Sequence, residues 1–385
     1  MKVLHVITRL IRGGAQENTV ATVRLLRERF GVEAALATGP PLGPEGSLMD
    51  DARAAGVVPV LLPHLRRQVN PALDALAYRE ITRLIRGGNW DVVHTHSSKA
   101  GVLGRLVARR AGIPHVVHTI HGLPFHPYQG RARRAFYLAC ERRAAGWCDS
   151  LVAVAAKLRD AALEAGVGSP GQYEVIHSGM PLDDFVRARR DPAVRARLGV
   201  PARAPLVGKV ARLFPLKGHE EFIAAAKILA RRVPDCHFVV VGGGILRDEL
   251  ERLVSESGLA ERFHFTGLVT REDVARIMPN LDLLIHASWW EGLPRVAVQA
   301  LAAGVPVVAF DVDATGEVVL DGKTGFLVKP GDFVGLAERA ERLLKAPEMR
   351  RRMGEAGRAL VDPEFREEIM VERLYALYEG LMEKG

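Results

Sequence analysis

The chain has 385 residues, 48% hydrophobic and 25% charged, with 38 glycines and 22 prolines, which is enough length for two α/β domains rich in short turns. No apolar run reaches the roughly 18 residues of a membrane-spanning helix, and the opening MKVLHVIT enters a strand directly, without the apolar core and cleavage site of a signal peptide. Cys140, Cys148 and Cys236 form no CxxC pair, which argues for a reducing, cytoplasmic setting and against both a disulfide framework and a zinc site.

The formal net charge of +8 is unevenly placed: residues 1–180 carry 23 Lys and Arg against 14 Asp and Glu, the remainder 30 against 31. Such asymmetry points to an anionic partner for the first half. The candidates are the anionic face of a membrane, a diphosphate-bearing acceptor and nucleic acid; an Arg-rich composition accounts for it with no partner at all. No stacking aromatics interleave with the N-terminal arginines, so nucleic acid is disfavoured.

KVLHVIT (2–8) is a strand, followed by the glycine loop RLIRGGAQENT and a helical pattern to Arg29. Strand, glycine loop and helix open a Rossmann-like unit, although the loop is not GxGxxG. Gly13 and Gly14 let the backbone approach a ligand, or simply make a tight turn. VEAALAT (32–38) and VVPVLL (57–62) read as strands around a Pro/Gly-rich loop at 39–47, and a helix is predicted from Pro71 to Arg86. DVVHTHSS (91–98) is a strand with a polar end, where open α/β sheets place ligands. Ser97 or Ser98 is expected to cap the next helix, with Lys99 at its start pointing into the crevice.

In HVVHTIHGLPFHP (115–127) the strand runs out at Thr119 and leaves His121 and Gly122 at its carboxyl end. His115, His118, His121 and His126 lie close in sequence. A strand puts His115 and His118 on opposite faces, and no Cys or carboxylate joins them, so a metal cluster is disfavoured. The following helix carries Arg131, Arg133, Arg134, Arg142 and Arg143, a basic face for anionic lipid or an ordinary solvated one.

In the second half a strand at 206–211 delivers Arg212 to its end, followed by Lys217 and Gly218 in a loop. Two cations there suit a diphosphate, Arg bidentately and Lys as a point charge. Gly242 to Gly244 follow a strand and permit close approach at a helix start, and another strand ends at Gly267. LLIHASWWEGLPRVAVQALAAGVPVVAF (283–310) reads as strand, turn, amphipathic helix (Arg295 to Ala303) and strand, with Pro294 in the first helical turn and Gly304 at the exit. Glu291 and Gly292 sit at the helix mouth, whose N–H groups suit a phosphate or a sugar hydroxyl. Glu291 either accepts from a donor-rich neutral ligand such as a sugar or caps the helix. Three helices close the chain, from about Asp332, Pro347 and Glu364, the last to Lys384.

Glu291 followed eight positions later by Gln299 resembles the signature of the family-four retaining glycosyltransferases, whose usual pattern is Glu, seven residues, Glu; Gln299 is a departure. Arg212-Leu213 with Lys217-Gly218, Thr119-x-His121-Gly122, the HTHSSKAG stretch and VIHSGMPLDDF resemble further motifs of that family, with Ser178 in place of its usual Asn. The resemblance implies an α/β fold of two Rossmann-like, doubly wound domains facing across a cleft, the GT-B type. It places an acceptor-side domain at 1–180, a donor-binding domain at 181–365, a hinge near Gly179 and a last helix, 366–385, returning to the first domain.

By the same resemblance His121, Glu291, Arg212 and Lys217 are the catalytic residues, with His121 beside the sugar and His118 structural. Gly13, Gly14, Gly243, Gly267, Leu268, Gly292, Leu293 and Gln299 border the donor, and Lys99 and Ser98 lie on the acceptor side. The implied activity is retaining transfer of a hexosyl or N-acetylhexosaminyl group from a nucleotide diphosphate sugar, UDP-linked by preference and GDP-linked otherwise, to a sugar or lipid-linked acceptor in polysaccharide synthesis. No cofactor or metal is expected. Asp311-x-Asp313 resembles the metal–nucleotide motif of the other, single-Rossmann class, but its position marks it as a loop. The place of action is the cytoplasm or the inner membrane surface. The rival reading is a non-hydrolysing sugar-nucleotide epimerase or another two-Rossmann sugar-nucleotide enzyme.

Overall fold

A computed structural model of the chain describes residues 1–43 and 46–383. The middle of the loop expected at 39–47 and Lys384 at the end of the last expected helix lie outside the described residues. The chain divides into two compact units, Met1–Met180 with Arg366–Gly385, and Pro181–Phe365.

The first unit is a seven-stranded parallel sheet in the order β3-β2-β1-β4-β5-β6-β7. Its strands are β1 (Lys2–Ile7), β2 (Glu33–Thr38), β3 (Val60–Leu61), β4 (Val92–His96), β5 (His115–Ile120), β6 (Ser150–Ala153) and β7 (Tyr173–Val175). The helices are α1 (Gly14–Phe30), α2 (Met49–Ala54), α3 (Pro71–Arg86), α4 (Ser98–Ala111), α5 (Arg131–Ala145) and α6 (Ala156–Glu164). The strand expected at 57–62 shrinks to two exposed residues on the sheet edge, where one neighbour supplies hydrogen bonds.

The second unit is a six-stranded parallel sheet in the order β10-β9-β8-β11-β12-β13, the doubly wound Rossmann order. It contains β8 (Leu206–Val210), β9 (His237–Val241), β10 (Phe263–Gly267), β11 (Leu283–His286), β12 (Val307–Phe310) and β13 (Gly325–Val328). Its helices are α7 (Asp183–Arg187), α8 (Pro192–Arg197), α9 (His219–Arg232), α10 (Arg247–Glu256), α11 (Arg271–Ile277), α12 (Arg295–Ala302), α13 (Thr315–Val318), α14 (Phe333–Lys345) and α15 (Pro347–Val361). The last helix, α16 (Glu367–Met382), packs on α1 in the first unit and buries Met370, Val371, Leu374 and Tyr378 there.

Both sheets are covered on both faces, so their strands read as near-continuous apolar runs. In the second unit Val207, Phe238, Val240, Ile285, Val308 and Phe326 meet Phe222, Ala226 and Leu229 of α9 and Leu336, Ala340 and Leu343 of α14. The Gly242–Gly244 triplet serves this packing rather than a helix mouth. A Cβ on Gly242 would stand 2.1 Å from Ala211 O and one on Gly244 2.4 Å from Leu213 O, so the glycines let two loops touch; the helix begins only at Arg247.

Candidate functional site

In a doubly wound sheet ligands bind beyond the carboxyl ends of the strands where the strand order reverses. That point lies between β8 and β11 in the second unit and between β1 and β4 in the first. Both ends carry polar side chains.

In the second unit the β8–α9 loop presses against the end of β11. A Cβ on Gly218, which has φ 65°, would stand 1.7 Å from Ala287 O, so only glycine allows the approach. Trp289 N donates to Leu216 O at 2.9 Å. The clamp brings Lys217 Nζ to 2.6 Å from Glu291 Oε1, and His286 Nε2 lies 3.7 Å from the same oxygen. Burial pushes the Glu291 carboxyl up, but the Lys217 ammonium and His286 outweigh it, so the group is held below its ordinary value. Arg212 is exposed on the same loop, its guanidinium 5.2 Å from the Phe214 ring centre.

Sequence reasoning missed two neighbours of this cluster. Lys209 on β8 is buried, and burial with the nearby Lys217 charge lowers its pKa from 10.5 to about 7. Asp313, read as part of a plain loop, accepts from Glu291 N at 2.7 Å and so fixes the backbone of the acidic residue. The helix mouth is less open than expected. Pro294 precedes α12 instead of lying in its first turn, Arg295 N donates to Leu293 O and Ala297 N to Pro294 O. Gln299 is half-buried on α12, eight positions beyond Glu291. Gly243 and Leu268 meet at the ends of β9 and β10, where a Cβ on Gly243 would stand 3.3 Å from Leu268 N; Gly267 closes β10 with φ 70° and Leu268 is exposed. Gly292 is half-buried and Leu293 buried beside Glu291.

In the first unit Ser97 stands before α4 but does not cap it. Its hydroxyl donates to His96 O at 2.5 Å and lies 2.7 Å from Thr8 Oγ1 at the end of β1. Thr8 Oγ1 instead accepts from Ala100 N at 3.0 Å, so β1 caps the helix after β4. Ser98 is the first residue of α4. Lys99 is not left open to a crevice: its ammonium pairs with Asp74 and with the Gln68 carbonyl. Gly13 is extended backbone ahead of α1, and Gly14 opens that helix. A Cβ on Gly13 would meet only the flexible Gln16 side chain, at 2.8 Å, so no close approach demands glycine there.

His121 follows β5, and its Nε2 lies 3.1 Å from His96 Nδ1. His118 is buried on the opposite face, where Thr95 Oγ1 lies 2.9 Å from its Nδ1. The histidines that group most tightly are not those of 115–126. His5, His94 and His96 each place a ring nitrogen within 4.8 Å of the others. The alternating pattern of HTH in β4 signalled the shared face, but not that β1 lies beside it.

Ser97, Leu216 and Asp313 are the non-glycine residues with positive φ among those described, at 60°, 66° and 44°. Each stores about 1–3 kcal/mol of backbone strain; Ser97 and Leu216 border the two strand-order reversals, and Asp313 holds the backbone of Glu291.

Comparison with known proteins bears on the family and the fold. The family model for glycosyl transferases group 1 matches residues 191–360, and that for the glycosyl transferase 4-like domain matches residues 13–179. The UDP-Gal:alpha-D-GlcNAc-diphosphoundecaprenol alpha-1,3-galactosyltransferase of Escherichia coli is 28% identical over 86% of this chain and 85% of its own length. The 2-deoxystreptamine glucosyltransferase of Streptomyces kanamyceticus is 31% identical over 74% of this chain and 78% of its own. The fold is that of Anabaena Alr3699/HepE, solved in complex with UDP-glucose, with a TM-score of 0.83 over 99% of this chain and 100% of the other at 22% identity. The chain belongs to the family-four, nucleotide-sugar-dependent glycosyltransferases of the GT-B type.

Proposed function

We propose that the protein transfers a hexosyl or N-acetylhexosaminyl group from a UDP-sugar to a lipid-linked acceptor, keeps the anomeric configuration and uses no metal. The observation that carries this is the Lys217–Glu291 pair at the strand-order reversal of the second unit, with Arg212 on the same loop. A bound diphosphate takes over the Lys217 charge, and Arg212 adds a second fixed cation for the leaving group. Glu291 is then released to the sugar hydroxyls and orients the anomeric carbon. In the unliganded protein burial pushes the carboxyl up, but the Lys217 ammonium outweighs it and keeps the group ionised. His121 of the first unit is assigned to the sugar. Attack from the face of departure, with the diphosphate taking the acceptor proton, is the course the family resemblance favours.

The acceptor assignment draws on the E. coli relative, whose name specifies a diphosphoundecaprenol-linked GlcNAc. It also draws on α5, where Arg131, Arg133, Arg134 and the aromatic Phe136 are exposed together, a face suited to the anionic inner surface of a membrane.

The test is incubation of the purified protein with UDP-glucose, UDP-galactose or UDP-GlcNAc and a polyprenyl-diphosphate-linked GlcNAc, in EDTA, with the new linkage read by NMR. An α-linked disaccharide is expected. A β-linked product would overturn retention, dependence on added metal would overturn metal independence, and conversion of the nucleotide sugar without acceptor would move the assignment to epimerase chemistry.

A further inference from the structure

A chain of imidazoles runs through the carboxyl end of the first sheet. The β1–β4 register sets His5 opposite His94, and the β4–β5 register sets His96 opposite Thr119, so these side chains share one face. His5 Nδ1 lies 3.0 Å from His96 Nε2, and His96 Nδ1 lies 3.1 Å from His121 Nε2. His5, His94 and His96 are buried. Burial lowers the His5 pKa to about 3 and holds those of His94 and His96 well below the ordinary value, so these rings are neutral at neutral pH.

A neutral imidazole carries one N–H and one lone pair. Each of the two contacts holds one proton, so the three rings must share one direction. If His96 donates to His121 through Nδ1–H, its Nε2 accepts from His5 Nδ1–H, and His5 Nε2 is left as a bare lone pair. In the reverse direction His5 Nε2 carries an N–H. That atom is buried and meets no hydrogen-bond partner among the described residues. A buried N–H without an acceptor is the rarer and costlier defect, so the first direction is the stable one.

His94 stands beside the chain rather than in it. Its Nε2 lies 2.7 Å from Thr119 Oγ1, and its Nδ1 pairs with the Tyr378 hydroxyl from α16. Both nitrogens of His94 and both of His96 are engaged. The three-histidine cluster is therefore a hydrogen-bond network rather than a cage of converging lone pairs.

We propose that His5 and His96 are positioning residues that hold His121 in its Nδ1–H form, so that the ring meets the donor sugar as a hydrogen-bond donor. The proposal rests on the assignment of His121 to the sugar made above. Its structural half is independent of turnover.

Ring-15N histidine reports the tautomer through long-range 1H–15N correlations. In the ligand-free wild-type protein, His121 is expected to carry its proton on Nδ1. His5→Leu removes the terminal donor; the His121 signal is expected to move towards the Nε2–H form, with kcat/KM falling about tenfold, the scale of one hydrogen bond. His5→Asn puts an amide N–H where Nδ1–H stood and is expected to restore both readouts. His121 protonated on Nε2 in the wild type, or an unchanged tautomer in a folded His5→Leu variant, overturns the proposal. Joint shifts of His5, His94 and His96 on titration with zinc would replace the chain with a metal site. A tautomer that responds while kcat/KM does not keeps the chain and removes His121 from the sugar.

Discussion

The two strand-order reversals are topologically alike and chemically opposite. In the second unit the strand ends carry charge: Lys217 on Glu291, Lys209 buried behind them and Arg212 exposed on the same loop. In the first unit they carry neutral, hydrogen-bonded groups: Thr8, Ser97 and the His5–His96–His121 chain. One frame thus supplies two kinds of site. Fixed charge suits a diphosphate whose negative charge grows as it leaves. Directed neutral hydrogen bonds suit sugar hydroxyls, which both donate and accept.

The largest expected difference between the two ends is in acid. Burial lowers the pKa of His5, His94, His96 and His118 in the first unit and of His219 and His286 in the second strongly, and that of His126 in the first and of His237 and His264 in the second less. Below pH 6.5 the unfolded chain takes up protons that these folded rings refuse. Stability therefore falls as pH drops, by up to about 1.4 kcal/mol per pH unit per ring. Hydrogen exchange between pH 7 and 5 should show the first unit, with four strongly shifted rings against two in the second, weakening the more steeply; equal slopes would erase the contrast.

Next in size is Lys217→Ala. It removes a fixed cation and strands the Glu291 carboxylate, and kcat/KM should fall about a thousandfold. A loss below tenfold in initial rates would take Lys217 out of the leaving-group site. Glu291→Gln keeps the shape but gives up the charge, and should cost about a hundredfold in turnover while free UDP binds as well or more tightly. Equal losses in both would make Glu291 a structural partner of Lys217 only.

Lys209 sharpens the comparison further. Its folded pKa, about 7, lies below its ordinary 10.5, so between those values the unfolded state holds the extra proton and stability rises with pH, by up to about 1.4 kcal/mol per unit. Urea unfolding at pH 7, 8 and 9 should show that rise in the wild type and not in Lys209→Met. The smallest effect is expected for Gln299→Glu. An amide oxygen and a carboxylate both accept from ribose hydroxyls, so kcat/KM should stay within about tenfold. A larger loss would show that the amide itself is required.

Much of the charged end is legible in the sequence alone. Arg212, Lys217 and Glu291 are chemically conspicuous at strand ends, and strand alternation with helix periodicity located the elements around them. What the sequence did not reveal depends on which strands are neighbours. The sequence separations of 74 between Lys217 and Glu291 and of 91 between His5 and His96 close only when β8 meets β11 and β1 meets β4. Local rules misled where tertiary contacts outcompeted them. Ser97 looks like a cap, yet Thr8 of another strand caps α4, and Gly242–Gly244 look like a helix start, yet the helix begins only at Arg247 and two of the glycines receive the Ala211–Leu213 backbone. Lys99 reads as open because nothing nearby in sequence announces its pairing with Asp74.

The central claim is that the charged end of the second unit holds the donor diphosphate. Its most direct test is thermal unfolding, followed by fluorescence in EDTA, of the wild type and Lys217→Ala against UDP, GDP and their sugars. At about 100 times Kd a ligand specific for the folded state adds about 2.7 kcal/mol. A rise in Tm with UDP and UDP-sugars that disappears in Lys217→Ala is the predicted result. No shift with any nucleotide, or an equal shift in the variant, would contradict it.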